Sequence, residues 1–182
     1  MATGTRDRIL DAAESIVIRD GVARLTLEAA AAEAGLSKGG VLYHFHTRDS
    51  LVSAMVERMV AGFDAELDTE AGADDGPPAG RYTRAYIRAS VRRASTPEEI
   101  RRERAGAAVL AAMACEPQLL KPMRESFDRS QAQFLDDGID PVAATVARLV
   151  SDGLWLVELF GFAPLDEPLR TKVAAFVEEL AR

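Results

Sequence analysis

The chain has 182 residues, 48% hydrophobic and 28% charged, which is long enough for a real core and far from the composition of disordered chains. A single cysteine and two histidines exclude an internal disulfide and any multi-cysteine metal site, and Cys115 is expected to be a small buried apolar residue. The formal net charge of -7 opposes a polyanionic partner at first sight, since phosphate neutralisation dominates such binding.

The distribution of charge matters more than its sum. Residues 1–48 balance six basic side chains (Arg6, Arg8, Arg19, Arg24, Lys38, Arg48) against six acidic ones (Asp7, Asp11, Glu14, Asp20, Glu28, Glu33), so the acidic excess lies entirely beyond them. That polarity would turn the neutral end toward nucleic acid. The longest apolar run, residues 105–115, falls short of the roughly 20 needed to cross a bilayer and reads as a buried helix. The first eight residues mix charges of both signs with no apolar stretch, so a cytoplasmic chain with no membrane partner is expected.

Helical spacing dominates and period-2 alternation is nearly absent, which predicts an all-α fold of about nine helices. Ile9, Ala13, Ile16 and Val17 form one stripe of a first helix over 5–20, stopped by Gly21. Thr26 caps a second, alanine-rich helix that ends at Gly35; Ser37 caps a short third one through His44. Thr47 caps a fourth, with Leu51, Met55, Met59 and Phe63 along one face. Residues 68–80, with acids, glycines and Pro77-Pro78, read as an exposed loop. Helices are then expected over 81–94, 97–115, 118–137, 141–162 and 167–181, with Pro122 in a first turn or at a kink. The pairs Glu98-Glu99 and Asp136-Asp137 read as solvated helix ends.

Three short helices with a tight turn between the second and third describe a helix-turn-helix, whose third helix would enter the major groove of DNA. Gly35 suits positive φ in the turn Ala34-Gly35-Leu36, and Leu36 would bury between the helices. Gly39 and Gly40 stand near the start of the third helix, at about 1 kcal/mol each relative to alanine. Lacking Cβ atoms, they would let the backbone approach a phosphate or base edge beside Lys38; the other reading is tight packing against the first helix or a loose loop. Tyr43, His44 and Arg48 add donors in the same region.

The run from Thr26-Leu27-Glu28, through Ala34-Gly35-Leu36-Ser37-Lys38-Gly39-Gly40-Val41-Leu42-Tyr43-His44-Phe45, to Thr47-Arg48-Asp49-Ser50-Leu51 resembles the DNA-binding domain of the TetR family. The resemblance covers roughly residues 6–55 and departs from the family pattern at Ala30, where isoleucine is common, and at Leu42, where an aromatic is usual. It implies a DNA-binding domain over 1–47 and a helical ligand-binding and dimerisation domain over 48–182. It further implies a homodimeric repressor that leaves double-stranded operator DNA when a small-molecule inducer, not identified by the sequence, binds. Thr26, Lys38, Tyr43, His44 and Arg48 would touch phosphates, and Ser37, Lys38, Gly39, Gly40 and Tyr43 would face bases, with Arg6 and Arg8 in an N-terminal arm sharing specificity.

In the later helices Val146, Leu149, Val150, Leu154, Val157, Val173, Phe176, Val177 and Leu180 suit either a dimer face or an intramolecular core. Met113, Met123, Phe127, Phe134, Trp155 and Phe160 suit either a ligand pocket or plain packing. No catalytic residue, metal site or cofactor is expected. His44 and His46 lack any metalloenzyme or hydrolase motif around them, so a helical enzyme is the weakest rival reading. A protein-binding helical adaptor is the other rival, and it leaves the double glycine unexplained.

Overall fold

A computed structural model of the protein describes residues 4–113 and 117–182, with side chains described outside 111–117; Cys115 and the Met113 side chain fall outside this range. The described residues form nine α-helices and no strand: α1 Thr5–Asp20, α2 Leu27–Glu33, α3 Lys38–His44, α4 Arg48–Gly72, α5 Arg81–Val91, α6 Pro97–Met113, α7 Lys121–Leu135, α8 Pro141–Phe160 and α9 Glu167–Glu179. Short 3₁₀ turns at Val22–Arg24 and Pro117–Leu120 precede α2 and α7. The chain divides into two compact units, residues 1–60 with 94–124 and residues 61–93 with 125–182.

In the first unit, α1 buries Ile9, Leu10, Ala13, Ile16 and Val17 against Leu25, Ala30, Val41, Phe45, Leu51 and Val52. Val109 of α6 and Leu119 join the same core. A buried ionic cluster runs alongside: Arg58 of α4 pairs with Asp11 at 2.7 Å and with Glu14, while Arg101 of α6 reaches Glu14 at 3.4 Å. Glu14 is almost fully buried, so an unpaired charge there would be costly, and two guanidiniums supply the compensation. Where α6 passes α4, a Cβ on Gly106 would stand 2.8 Å from the Met59 sulfur, towards the end of a flexible side chain that can move aside.

In the second unit, Leu67, Tyr86, Phe134 and Ala144 make one core with Phe63 and Tyr82 packed on it, and Ile87, Ala147, Val177 and Ala181 make another. The helix read as ending before 68 runs on to Gly72, because Glu70 accepts from Arg88 at 3.0 Å and Ala71 packs on the core. Asp137 is not a solvated end: its carboxylate accepts from the Tyr82 and Thr83 amides and the Thr83 hydroxyl, capping α5 from a distant part of the chain. Glu99 likewise closes a capping box with Thr96 at the start of α6. Pro122 sits in the first turn of α7, where its missing N–H costs nothing.

Arg84 fixes the connection between α4 and α5. Its guanidinium donates to the Asp74 carboxylate, to the Pro77 and Ala79 carbonyls and to the Ala181 carbonyl. The Arg84 bonds to Asp74 outweigh the effect of burial and, with Arg88 and the Gly76 amide, hold the Asp74 carboxyl far below the usual carboxylate range. A carboxylate depressed in this way contributes its full stability above its unfolded value of about 3.9 and loses it as pH falls toward the folded one. We expect Asp74→Asn to lower stability by about 3–5 kcal/mol at neutral pH in denaturant melts. The acid limb of the stability profile below about pH 4 should flatten in the same variant.

Candidate nucleic-acid interface

The α2–α3 connection is built by backbone hydrogen bonds. Gly35 has φ +65°, and the Leu36 amide donates to Ala31 while the Gly35 amide donates to Ala32. This pairing is a Schellman motif, which satisfies the last carbonyls of α2 and requires a left-handed residue at the position glycine fills. Leu36, the next residue, packs on the first core as expected. Arg8 adds a bond from α1 to the Ala34 carbonyl at 2.8 Å.

Side-chain caps set both helix starts. The Thr26 hydroxyl accepts from the Ala29 amide at 3.0 Å and the Ser37 hydroxyl from the Gly40 amide at 3.1 Å. Each hydroxyl keeps its own O–H free to donate outward. Val41 and Phe45 are buried, whereas Ser37, Lys38 and Gly39 are exposed, Gly40 and His44 half-buried, and Tyr43 82% exposed. The Tyr43 ring meets the His44 ring edge-on at 5.1 Å. The helix thus buries one edge and presents the other.

Neither glycine of α3 is needed by the fold. A Cβ on Gly39 would meet nothing nearer than the Ser37 hydroxyl at 3.9 Å, and one on Gly40 would meet it at 3.5 Å, ordinary contact. Neither has positive φ. Packing against the first helix is therefore not their reason.

Three expectations change. Arg48 is turned inward: its guanidinium donates to the Leu25 and Val22 carbonyls at 3.1 and 3.3 Å, bracing the segment that leads into Thr26. Arg6 and Arg8 belong to α1 rather than to an arm, with Arg6 over the Phe45 ring and 3.5 Å from Glu57. Lys38 is exposed but not bare, since its ammonium lies 2.6 Å from the Glu28 carboxylate, a partner the sequence reading did not pair with it. Its ten-residue separation across a turn gave no local signal.

The residues assigned to dimerisation divide. Val146, Leu149 and Phe176 are exposed, while Leu154 and Val177 are buried within the chain, Val150 and Val173 pack on that same core, and Val157 and Leu180 are half-buried. The exposed set is completed by Val142 and Leu156 on α8 and Leu169 on α9, which sequence reasoning missed. Positions 142, 146, 149, 153 and 156, and 169, 173, 176 and 180, follow 4-3 steps, the spacing of a helix-packing seam and the signal that would have found them. The pocket assignments divide as well. Phe134 is fully buried between Tyr82 and Tyr86, and Met123 packs on the core of the first unit, so both are core residues. Phe160 stacks on Phe162, leaving Phe127 and Trp155 half-buried in the second unit. Among the described residues no group of three His, Cys, Asp or Glu stands placed to hold a metal ion, and no helix is long and apolar enough to cross a membrane.

Residues 9–55 match the family of bacterial regulatory proteins described as tetR, and residues 80–182 match the tetracyclin repressor-like C-terminal domain. Among characterised proteins, the transcriptional regulator TtgR of Pseudomonas putida is 38% identical over 58 residues, 32% of this chain and 28% of TtgR. The match thus spans little more than a quarter of that relative. Over nearly whole chains, the structure of a TetR family member, SCO1917 of Streptomyces coelicolor, superposes with a TM-score of 0.73 at 26% identity, covering 96% of this chain and 98% of the other. The multidrug binding protein EbrR complexed with malachite green gives 0.72 at 26%, covering 97% and 98%. A helix-turn-helix with an exposed, glycine-bearing third helix, followed by the matching C-terminal helices, places this chain in the TetR family.

Proposed function

We propose that the protein is a homodimeric repressor that binds double-stranded operator DNA in the cytoplasm and leaves it when a small molecule binds. Function divides between residues 1–47, which contact DNA, and 48–182, which carry ligand binding and dimerisation. The observation that carries this reading is the pair Gly39-Gly40: the fold has room for side chains there, alanine would favour the helix, and yet the exposed edge of α3 is left bare. A bare edge lets the helix backbone lie close against a duplex, with Thr26, Ser37, Lys38, Tyr43 and His44 around it as donors to phosphates and bases. Arg48 acts from behind, by bracing the entry to α2.

The exposed apolar residues of α8 (Val142, Val146, Leu149 and Leu156) and of α9 (Leu169 and Phe176) support self-association, because apolar side chains turned to water are satisfied by helices of a second copy. Two copies also place two short reading helices about one DNA turn apart, compensating for the few base contacts each one makes. The likeness to EbrR, whose structures hold malachite green and ethidium, supports an aromatic small molecule as inducer, bound in the second unit beside Phe127 and Trp155. Such a ligand acts only by binding the DNA-incompetent arrangement more tightly than the competent one.

Lys38→Ala should weaken binding to a duplex recovered by selection from random sequence and lower the log–log salt slope by about 0.9 for the lost phosphate contact; unchanged affinity and slope in an anisotropy titration would contradict the role. Leu149→Glu combined with Phe176→Glu should convert the dimer to a species of 19.6 kDa in sedimentation velocity, and a variant that stays dimeric would remove these seams from the interface.

A further inference from the structure

Several cations of the first unit are already paired with carboxylates. Arg19 is held by Asp20 and Glu33, Arg6 lies beside Glu57, and the Lys38 ammonium, the one cation of α3's first turn, touches Glu28 at 2.6 Å. Both members of that last pair are more than half exposed. Glu28 stands at the second position of α2 and Ala29 at the third, so Glu28 is not placed to close a capping box with Thr26. The Lys38 hydrogen bond holds the Glu28 carboxyl below its ordinary value, so Glu28 is a carboxylate at neutral pH and able to pair with the ammonium.

We propose that Glu28 is a selectivity-determining residue of this surface: by holding Lys38 it withholds that charge from duplexes that do not seat α3 in their groove. The inference rests on α3 being the DNA-reading helix. A compensated ammonium displaces few counterions and so adds little to sequence-independent attraction. A phosphate several ångströms away, as in a loosely held duplex, does not compete with a carboxylate in contact. A phosphate brought into contact by a well-seated α3 does, because an exposed ion pair is readily exchanged for another. Lys38 therefore strengthens binding to the operator while adding little elsewhere.

The test compares the full chain with Glu28→Gln, Lys38→Gln and the double variant. Each is titrated across a salt series against a duplex recovered by selection from random sequence and against a mixed-sequence duplex of equal length. Glu28→Gln should tighten mixed-sequence binding and steepen its salt slope by about 0.9, which amounts to about a threefold larger loss of affinity between roughly 50 and 200 mM salt. The selected duplex should gain less, so the affinity ratio falls, and the double variant should lose the gain. Unchanged mixed-sequence affinity, an equal gain on both duplexes, or a gain that persists without Lys38 would each overturn the inference while leaving DNA recognition standing. Failure of the selection to enrich any duplex would overturn DNA recognition and this inference with it. Both substituted side chains are exposed, and glutamine is a good helix former, so the variants fold.

Discussion

A seven-residue helix with two glycines in its first turn does not form on its own, because nucleation is costly and each glycine adds to that cost. α3 exists because Val41 and Phe45 are buried in a core shared with α1 and α4, and because Gly35 lets the chain turn sharply enough to deliver them there. Ser37 closes the start of the helix and the Thr47–Ser50 capping box starts the next one. Every stabilising contact of α3 is thus on its inner edge or at its ends, and the outer edge is free for contact with something else. The fold accepts a weak helix and holds it rigidly by its surroundings.

α1 carries much of that burden. Its apolar stripe faces the core, while Asp11 and Glu14 engage arginines from α4 and α6, so three helices meet on one side chain pair. With Glu14 almost fully buried, these pairs contribute less to net stability than to fixing register, since losing the arginines would leave its charge stranded. The position of α6 on α1 is set by this charge matching and by Val109 in the shared core.

Much of this was legible in the sequence, and what was not shares a cause. The limits of α1, the Thr26 and Ser37 caps, the left-handed Gly35 and the packing of Leu36 on the core all follow from interactions within a few residues, so spacing and residue type announce them. The extension of α4 through Glu70 depends on Arg88, the cap on α5 comes from Asp137, and Lys38 finds Glu28 across a turn; none of these partners is near in sequence. Arg48 illustrates the same limit from the other side, since a guanidinium that looked suited to phosphate is used on the Leu25 and Val22 carbonyls. Along α8 and α9, apolar residues on both faces looked alike in one dimension, and only burial separates Val177 from Phe176.

On the proposed reading, α3 is bare at Gly39 and Gly40 for the sake of a surface outside the protein. The most direct measurement is the paired Gly39→Ala/Gly40→Ala variant, melted by denaturant and titrated with the selected duplex. Stability should be unchanged or higher, by up to about 1 kcal/mol per site, together with a large loss of duplex affinity. A variant that binds DNA as well as the native protein, or that unfolds more easily, would contradict it.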